Sequence, residues 1–407
     1  MADLSALRSL FSNRNFAIYV SANIISLIGF WMQRLAISWL TWELTGSEFW
    51  VGAVAFAELA PLLIISPIFG VWADRFNRKL LTVICQSAMM LQSFVLFMLI
   101  MLDVINIEIL FIFALFDGML QAAHQPVRLS IIPNLVERKD IVSASSFTAV
   151  VFNVARLVGP ALAGIIISVY GSAIAVLCNA LTYIPILCAW SFIKIPVNKS
   201  LNKSDSIIKG IKEGISYVKN IPALGNIFIL QTILACGIRP VTLMLAAFVG
   251  AVYKGGADEL AFYTAMLGLG AVAGGMYVTL RGGTRGLVKS MLVNSFVAII
   301  ALAIFAWATQ FLLGLLMIFI IGWSITLSSV SSQTLVQNSI DDEIRGRVLS
   351  LWAALTRGAT AIGVLLIGVF ADYFGLFWPN IIAALICLIG LAIFWRKSRQ
   401  MQLFFES

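Results

Sequence analysis

Apolar positions in this chain come in long unbroken runs, without the two-residue alternation of a half-buried strand and without the narrow stripe of a surface helix. Crossing about 30 Å of hydrocarbon takes about 20 apolar residues in a helix, and a membrane barrel would alternate instead. The runs therefore predict membrane-spanning helices near 16–42, 48–71, 80–102, 107–129, 143–169 and 172–193, then near 224–252, 260–280, 287–309, 311–333, 348–371 and 377–395. The fold class is an all-α membrane protein, with twelve transmembrane helices in two six-helix, pseudo-symmetric halves. The domain reading is an N-terminal six-helix bundle over 1–193, a cytoplasmic linker over 194–222, a C-terminal bundle over 223–396 and a cytoplasmic tail over 397–407. Within the linker, Ile207, Ile211, Ile215 and Val218 recur at helical spacing while Lys209, Lys212, Glu213 and Lys219 take other faces. That pattern predicts a helix lying on the membrane surface, or a plain connector between the halves.

Composition narrows the class. Apolar residues make up 61% and charged ones 11% of the 407 residues, whereas a soluble chain is about one quarter charged, so lipid is the natural solvent. The formal charge of +8 would suit nucleic acid, but position decides otherwise. Of the 27 Lys and Arg residues, Lys254 lies in a loop on one side and Arg34, Arg156, Arg239 and Arg357 lie inside spans. The other 22 share the opposite side, which puts both termini in the cytoplasm and removes nucleic-acid binding as the meaning of the charge. Arg8 and Arg14 ahead of the first run read as a short cytoplasmic lead rather than a cleaved signal. Cys85, Cys178, Cys188, Cys236 and Cys387 all sit in apolar runs with no CxxC pair or His cluster, so no disulfide framework, metal site or cofactor is expected.

Internal repetition supports the halves. Gly159, Gly164 and Gly171 recur 204 residues later as Gly363, Gly368 and Gly375, matching the fifth span to the eleventh. Between spans two and three the chain reads Gly70, Val71, Trp72, Ala73, Asp74, Arg75, Phe76, Asn77, Arg78, Lys79. This stretch resembles the loop signature G-x-x-x-D-R-x-G-R-R/K of the major facilitator superfamily, with Asn77 where the family has Gly; Asn tolerates a left-handed backbone, so the turn is expected to survive. The resemblance implies a gating motif formed by Gly70, Asp74, Arg75, Arg78 and Lys79, in which Asp74 ties the cytoplasmic ends of spans two and eleven together, near the positive end of a helix. The basic members also read as ordinary cytoplasmic-side charges. Ser26 to Gln33, Pro126 to Arg128, Arg156 to Gly164 and Arg345 to Arg347 further resemble the enterobactin-exporter-like branch, and Arg156, Gly159, Pro160 and Gly164 resemble the helix-five motif of antiporters. That branch spans siderophore, drug and vitamin carriers.

Ionisable groups at bilayer depth are costly and mark function by default. Here they are Arg34, Glu58, Asp117, Arg156, Arg239 and Arg357. Asp117, Gln121, His124 and Arg128 follow at i, i+4, i+7 and i+11, one polar stripe that the family fold would turn toward a central cavity; Phe113 and Phe116 add aromatic surface above it. The bland alternative is an Asp117–Arg pair holding helices together. Arg34, Phe116, Asp117, Gln121 and Arg239 are thus the expected substrate contacts, with Pro240 freeing backbone beside Arg239. Asp117 and Glu58 are the expected proton carriers, since burial raises a carboxyl pKa toward neutrality. His124 reads more readily as an interfacial residue, and Ser324 and Ser328 as packing groups. Small hydroxyls apart, no HExxH, GxSxG or Cys/His cluster suggests an enzyme. The expected function is proton-coupled export of a siderophore- or drug-like amphipathic molecule by a monomer in a bacterial inner membrane; import of a flavin-like heteroaromatic nutrient is the alternative. The partners implied are the small-molecule substrate, the lipid bilayer and protons.

Overall fold

The computed structural model describes residues 10–193, 207–281, 283 and 285–406, with backbone alone at 67, 70–75, 139, 142, 207–211, 279, 342 and 343. The lead around Arg8 and the first part of the linker, with Lys194, Lys199 and Lys203, lie outside the described residues. All regular elements among the described residues are helical. The membrane helices are α1 (Arg14–Thr45), α2 (Glu48–Arg75), α3 (Arg78–Met101), α4 (Ile107–Ile131), α5 (Ile141–Tyr170), α6 (Ser172–Phe192), α7 (Pro222–Gly237), α8 (Ala257–Arg281), α9 (Leu287–Trp307), α10 (Phe311–Asn338), α11 (Asp342–Phe374) and α12 (Phe377–Arg396). All but α7 are long and apolar enough to cross a membrane unaided. Several run past the apolar segment that predicts them: α11 begins at Asp342 rather than near 348. Hydropathy marks the hydrocarbon layer, while helical hydrogen bonding continues through the headgroup zone, where polar side chains cost nothing.

The seventh helix, α7, is too short to cross unaided, meets the linker helix at a 112° bend, and is followed by broken structure. After Gly237 come a 3₁₀ turn at Arg239–Thr242, a short helical piece at Leu245–Ala247 and a π-turn at Phe248–Tyr253 that ends on left-handed Lys254 (φ 54°). Pro240 has no N–H to donate and its ring crowds the preceding turn, which ends the α-helix where the sequence placed a local unwinding. Asn77 departs from the sequence expectation. It is not left-handed but extended (φ −65°, ψ 108°), and its Oδ1 accepts the Leu80 N–H at 3.2 Å. Asn replaces the family glycine by capping α3 rather than by imitating a positive φ.

The 204-residue repeat reappears in three dimensions. Gly171 (φ 81°, ψ 168°) and Gly375 (φ 70°, ψ 169°) end α5 and α11 in the same conformation, one that a Cβ does not tolerate. A Cβ on Gly159 would stand 2.6 Å from Trp31 Cβ and 2.8 Å from the Ile28 carbonyl, so α5 lies directly on α1. On Gly363 it would meet the Cys236 carbonyl and, at 2.9 Å, Pro240 Cγ, so α11 lies on α7 in the equivalent way. Helices in lipid gain little from apolar contact with one another, so such small-residue approaches and interhelical hydrogen bonds hold the bundle. Large apolar side chains accordingly face outward, with Ile64, Leu312 and Leu280 72%, 77% and 82% exposed.

By contact, residues 1–44 and 60–203 form one compact unit, and residues 45–59 and 204–407 form the other. In unit two, Gly52 of α2 abuts Gly368 of α11, and Ser47 Oγ donates to Asp372 Oδ1 at 2.7 Å. A linker helix (Ile207–Asn220) packs on the start of α11, where Glu213 pairs with Arg347 and Tyr217 donates to Asp341 at 3.3 Å. A tail helix (Ser398–Phe405) buries Met401 and Phe405, and Glu406 behind it accepts the Val288 N–H at 2.9 Å. That carboxylate neutralises the positive end of α9.

Candidate substrate site

Three polar features occupy the helix interiors. In unit one, a buried amide network ties α1 to α3 and α6. Asn179 Nδ2 donates to Gln33 Oε1 (2.7 Å) and to Ser93 Oγ (3.2 Å), while Gln33 Nε2 reaches Gln92 Oε1 (3.5 Å) and Gln92 Nε2 reaches the Phe113 carbonyl of α4 (3.4 Å). In unit two, Gln231 Nε2 of α7 donates to Ser328 Oγ (3.0 Å) and Ser332 Oγ (2.7 Å) of α10, and Ser328 shares a hydrogen bond with Ser295 of α9 (2.8 Å). Ser328 is thus a packing group, as read from the sequence, whereas the fully buried Ser324 Oγ has no protein partner.

The third feature is a cationic and aromatic cluster in unit one. On α1, Trp31 and Arg34 stand one turn apart, and on α5 Phe152 and Arg156 do the same. Because Gly159 lets α5 settle against Ile28, Trp31 and Met32, both arginines reach one indole: Arg34 Cζ and Arg156 Cζ each lie 5.6 Å from the Trp31 ring centroid. Trp31 and Phe152 meet edge to face at 5.6 Å, and Arg128 Cζ of α4 lies 5.8 Å from the Phe152 centroid. The Trp31 Nε1 and His124 Nε2 atoms are buried with no hydrogen-bond partner in the protein. A guanidinium over an aromatic face gains about 0.5–2 kcal/mol, more as water is excluded. Three guanidiniums on two touching rings make a donor-rich patch with apolar walls.

The predicted residues divide as follows. Asp117 is buried on α4, within electrostatic reach of the buried Tyr183 of α6. Gln121 Nε2 contacts Met89 Sδ at 4.0 Å, and Arg128 joins the cluster, so the α4 stripe does face its neighbours within unit one. Phe116 is not brought to that side. It lies on the exposed stripe of Ile112, Phe116 and Met119, about 100° round the helix from Asp117. Arg239, on the 3₁₀ turn, donates to Ser329 Oγ at 3.0 Å and borders a small cavity with Gln231, Ser295 and Ser328. Glu58 is half-buried in the part of α2 that clusters with unit two. Arg34, Glu58, Asp117, Arg239 and Arg357 all have interactions of their own within the protein.

In the loop motif, the backbone is helical through Gly70, Asp74 and Arg75, whose side chains lie outside the described residues. Arg78 Nη1 donates to the Ser130 carbonyl (3.0 Å) and Lys79 Nζ to the Ile193 carbonyl (2.9 Å), so these two cations close the ends of α4 and α6. Helix C-terminal carbonyls attract cations in this way. Of the helix-five residues, Arg156 and Gly159 build the cluster, Pro160 is buried within α5, and Gly164 is buried one turn further on. Sequence reading missed Trp31 and Phe152 as members. The signal was present as an aromatic residue three or four positions before an intramembrane arginine on two helices, but nothing in one dimension says that the two pairs meet.

Residues 5–402 match the family described as transmembrane secretion effector, of the major facilitator type. The chain is 24% identical over 394 residues to a protein of Staphylococcus aureus named staphyloferrin A transporter, covering 95% of this chain and 97% of that one. It is 23% identical over 355 residues to a protein of Shigella boydii named enterobactin exporter EntS, covering 85% and 83%. Among solved structures, a bacterial homologue of the human lysosomal transporter Spinster, inward-facing and unoccupied, superposes with a TM-score of 0.74 at 14% identity over 97% of this chain and 99% of that one. A bacterial homologue of the iron transporter ferroportin, inward-facing, gives 0.73 at 16% over 95% and 98%. With its helical membrane fold, its 204-residue repeat and a match along nearly its whole length, this chain belongs to the transmembrane secretion effector family of major facilitator transporters, and is a membrane transporter of a small molecule rather than an enzyme.

Proposed function

We propose that the protein exports a small amphipathic or aromatic organic molecule across the bacterial cytoplasmic membrane by alternating access, in exchange for protons, with both termini in the cytoplasm. The observation that carries this reading is a buried carboxylate, Asp117, in the same unit as two intramembrane guanidiniums, a third at the cytoplasmic end of α4, and two aromatic rings. Arg34, Asp117 and Gln121 in unit one and Arg239 in unit two contact substrate, while Asp117, with Glu58 second, carries the proton. Charge at this depth is costly unless it serves such a path. Asp74 gates the cytoplasmic side from the Gly70 to Lys79 motif. The siderophore cargo in the names of both sequence relatives supports a substrate of that general kind.

The test is flux in proteoliposomes loaded with a fluorescent siderophore-like cargo. Transport is expected to follow an imposed pH gradient and to stop when an ionophore collapses it. Asp117→Asn should reduce gradient-driven flux about 100-fold or more while leaving cargo exchange without a gradient measurable. Flux indifferent to the gradient would remove proton exchange from the mechanism. The Trp31 and Phe152 rings would equally stack a heteroaromatic nutrient, and accumulation of such a compound by intact cells, energised and dependent on this protein, would reverse the direction.

A further inference from the structure

We infer that the tail helix (Ser398–Phe405) and the start of α9 form a docking surface for anionic phospholipid headgroups, in the leaflet that borders the basic ends of the helices. The proposal concerns unit two alone and holds for any cargo and either direction of transport. Position comes first. The membrane helix α12 ends at Arg396 and the tail helix begins at Ser398, so a single residue, Lys397, separates them. Trp395, 45% exposed, sits in the last turn of α12, and indoles gather at the boundary between hydrocarbon and headgroups. The tail helix therefore starts within about 5 Å of that boundary, at headgroup depth. Its inner face holds it there. Met401 and Phe405 are buried against α7, α9 and α12, Lys397 Nζ donates to Asn226 Oδ1 of α7 at 3.4 Å, and Glu406 accepts the Val288 N–H of α9.

The outer face supplies the chemistry. Leu403 and Phe404 point away from the protein, 68% and 43% exposed, and the exposed Arg399 lies one turn before Leu403 on the same side. The Glu406 contact sets the far end of the helix beside Arg285 and Lys289, both exposed at the start of α9. Over residues 281–290 and 395–406 the chain carries six cations and one carboxylate, and that carboxylate, Glu406, is already engaged. A general excess of Lys and Arg on one side of a membrane protein accounts for the cations, but not for a Leu–Phe pair exposed among them. Apolar side chains beside Lys and Arg are what an interfacial helix carries: the first enter the acyl boundary and the second meet phosphate. A zwitterionic headgroup balances its own phosphate with an amine, so the complement to this charge is a lipid of net negative charge.

The experiment uses the full chain in nanodiscs of phosphatidylcholine, or of an equal mixture with phosphatidylglycerol, and follows amide hydrogen exchange over residues 398–406. Exchange there is expected to slow about tenfold in the anionic discs and to return to the phosphatidylcholine rate at high salt. Soluble glycerol phosphate should not replace the lipid. Lys289→Gln with Arg399→Gln should abolish the difference between the two discs and leave the rate in phosphatidylcholine unchanged. Leu403→Ser with Phe404→Ser should speed exchange several-fold in both discs without moving the thermal midpoint in detergent, because both side chains face outward. Should the serine pair fail to give monodisperse protein, the charge pair decides, since Lys289 and Arg399 are both exposed. Equal exchange in the two discs, a difference that survives the charge pair, or the same slowing by glycerol phosphate overturns the assignment. So does a serine pair that exchanges as the parent chain does in both discs, which would leave the outward face to another protein.

Discussion

At the scale of single residues, the same side chain type serves opposite purposes according to what it meets. Arg78 and Lys79 spend their charge on helix-end carbonyls, while Arg34 and Arg156 stack on an indole inside the bundle. Asn77 is the clearest case of a residue whose motif position suggests one conformation and whose chemistry selects another. A capping Asn and a left-handed Asn respond differently to substitution. Asn77→Ala should lower stability by about 1 kcal/mol and Asn77→Gly by only a few tenths, with Asn77→Asp neutral, as read from thermal unfolding in detergent. A position needing positive φ would instead gain stability from Gly. Cap strength also sets how firmly Arg78 and Lys79, the next two residues, are aimed at Ser130 and Ile193.

At the scale of elements, glycines at matched places set how closely paired helices approach. Gly159 admits α1 to α5 and Gly363 admits α7 to α11, and both contacts involve backbone atoms that cannot swing away. Gly159→Ala and Gly363→Ala should therefore each destabilise by about 1–3 kcal/mol, the usual cost of overpacking, seen as a lower thermal midpoint. The break in α7 belongs to this scale as well: Pro240 stops the helix, and the 3₁₀ turn that follows presents Arg239 to Ser329. An unbroken helix would carry that guanidinium round by a different angle.

At the scale of the whole molecule, contact groups residues 45–59, from the end of α1 into the first part of α2, with the second unit, and residues 60–203 with the first. The Gly52–Gly368 approach and the Ser47–Asp372 hydrogen bond fasten that segment to α11. The alternating-access cycle proposed above would have to part that segment from α11. Ser47→Cys with Asp372→Cys, joined by a short bis-maleimide, should stop transport, whereas either single cysteine should not; continued transport by the joined pair would show that the contact is permanent. Pro61, two residues past the division, is one of two prolines in α2, with Pro67, that lack a backbone donor.

The chain alone determined what depends on local composition and spacing. Apolar runs specify the spans because lipid accepts polar backbone only in helices or closed barrels and the runs do not alternate, and the 204-residue recurrence of glycines specifies the halves because each half must solve the same packing problem. Asp117 and the intramembrane arginines were equally legible, since charge at bilayer depth is conspicuous in one dimension. Only the tertiary structure decided which of these groups meet. The Trp31 cluster joins α1, α4 and α5 through a glycine contact, Phe116 turns away from Asp117, and the amide network of Gln33, Gln92 and Asn179 spans residues far apart in sequence. Helical periodicity gives a side chain its direction from its own axis, but the rotation and approach of neighbouring axes come from packing, and packing is a property of the assembled bundle.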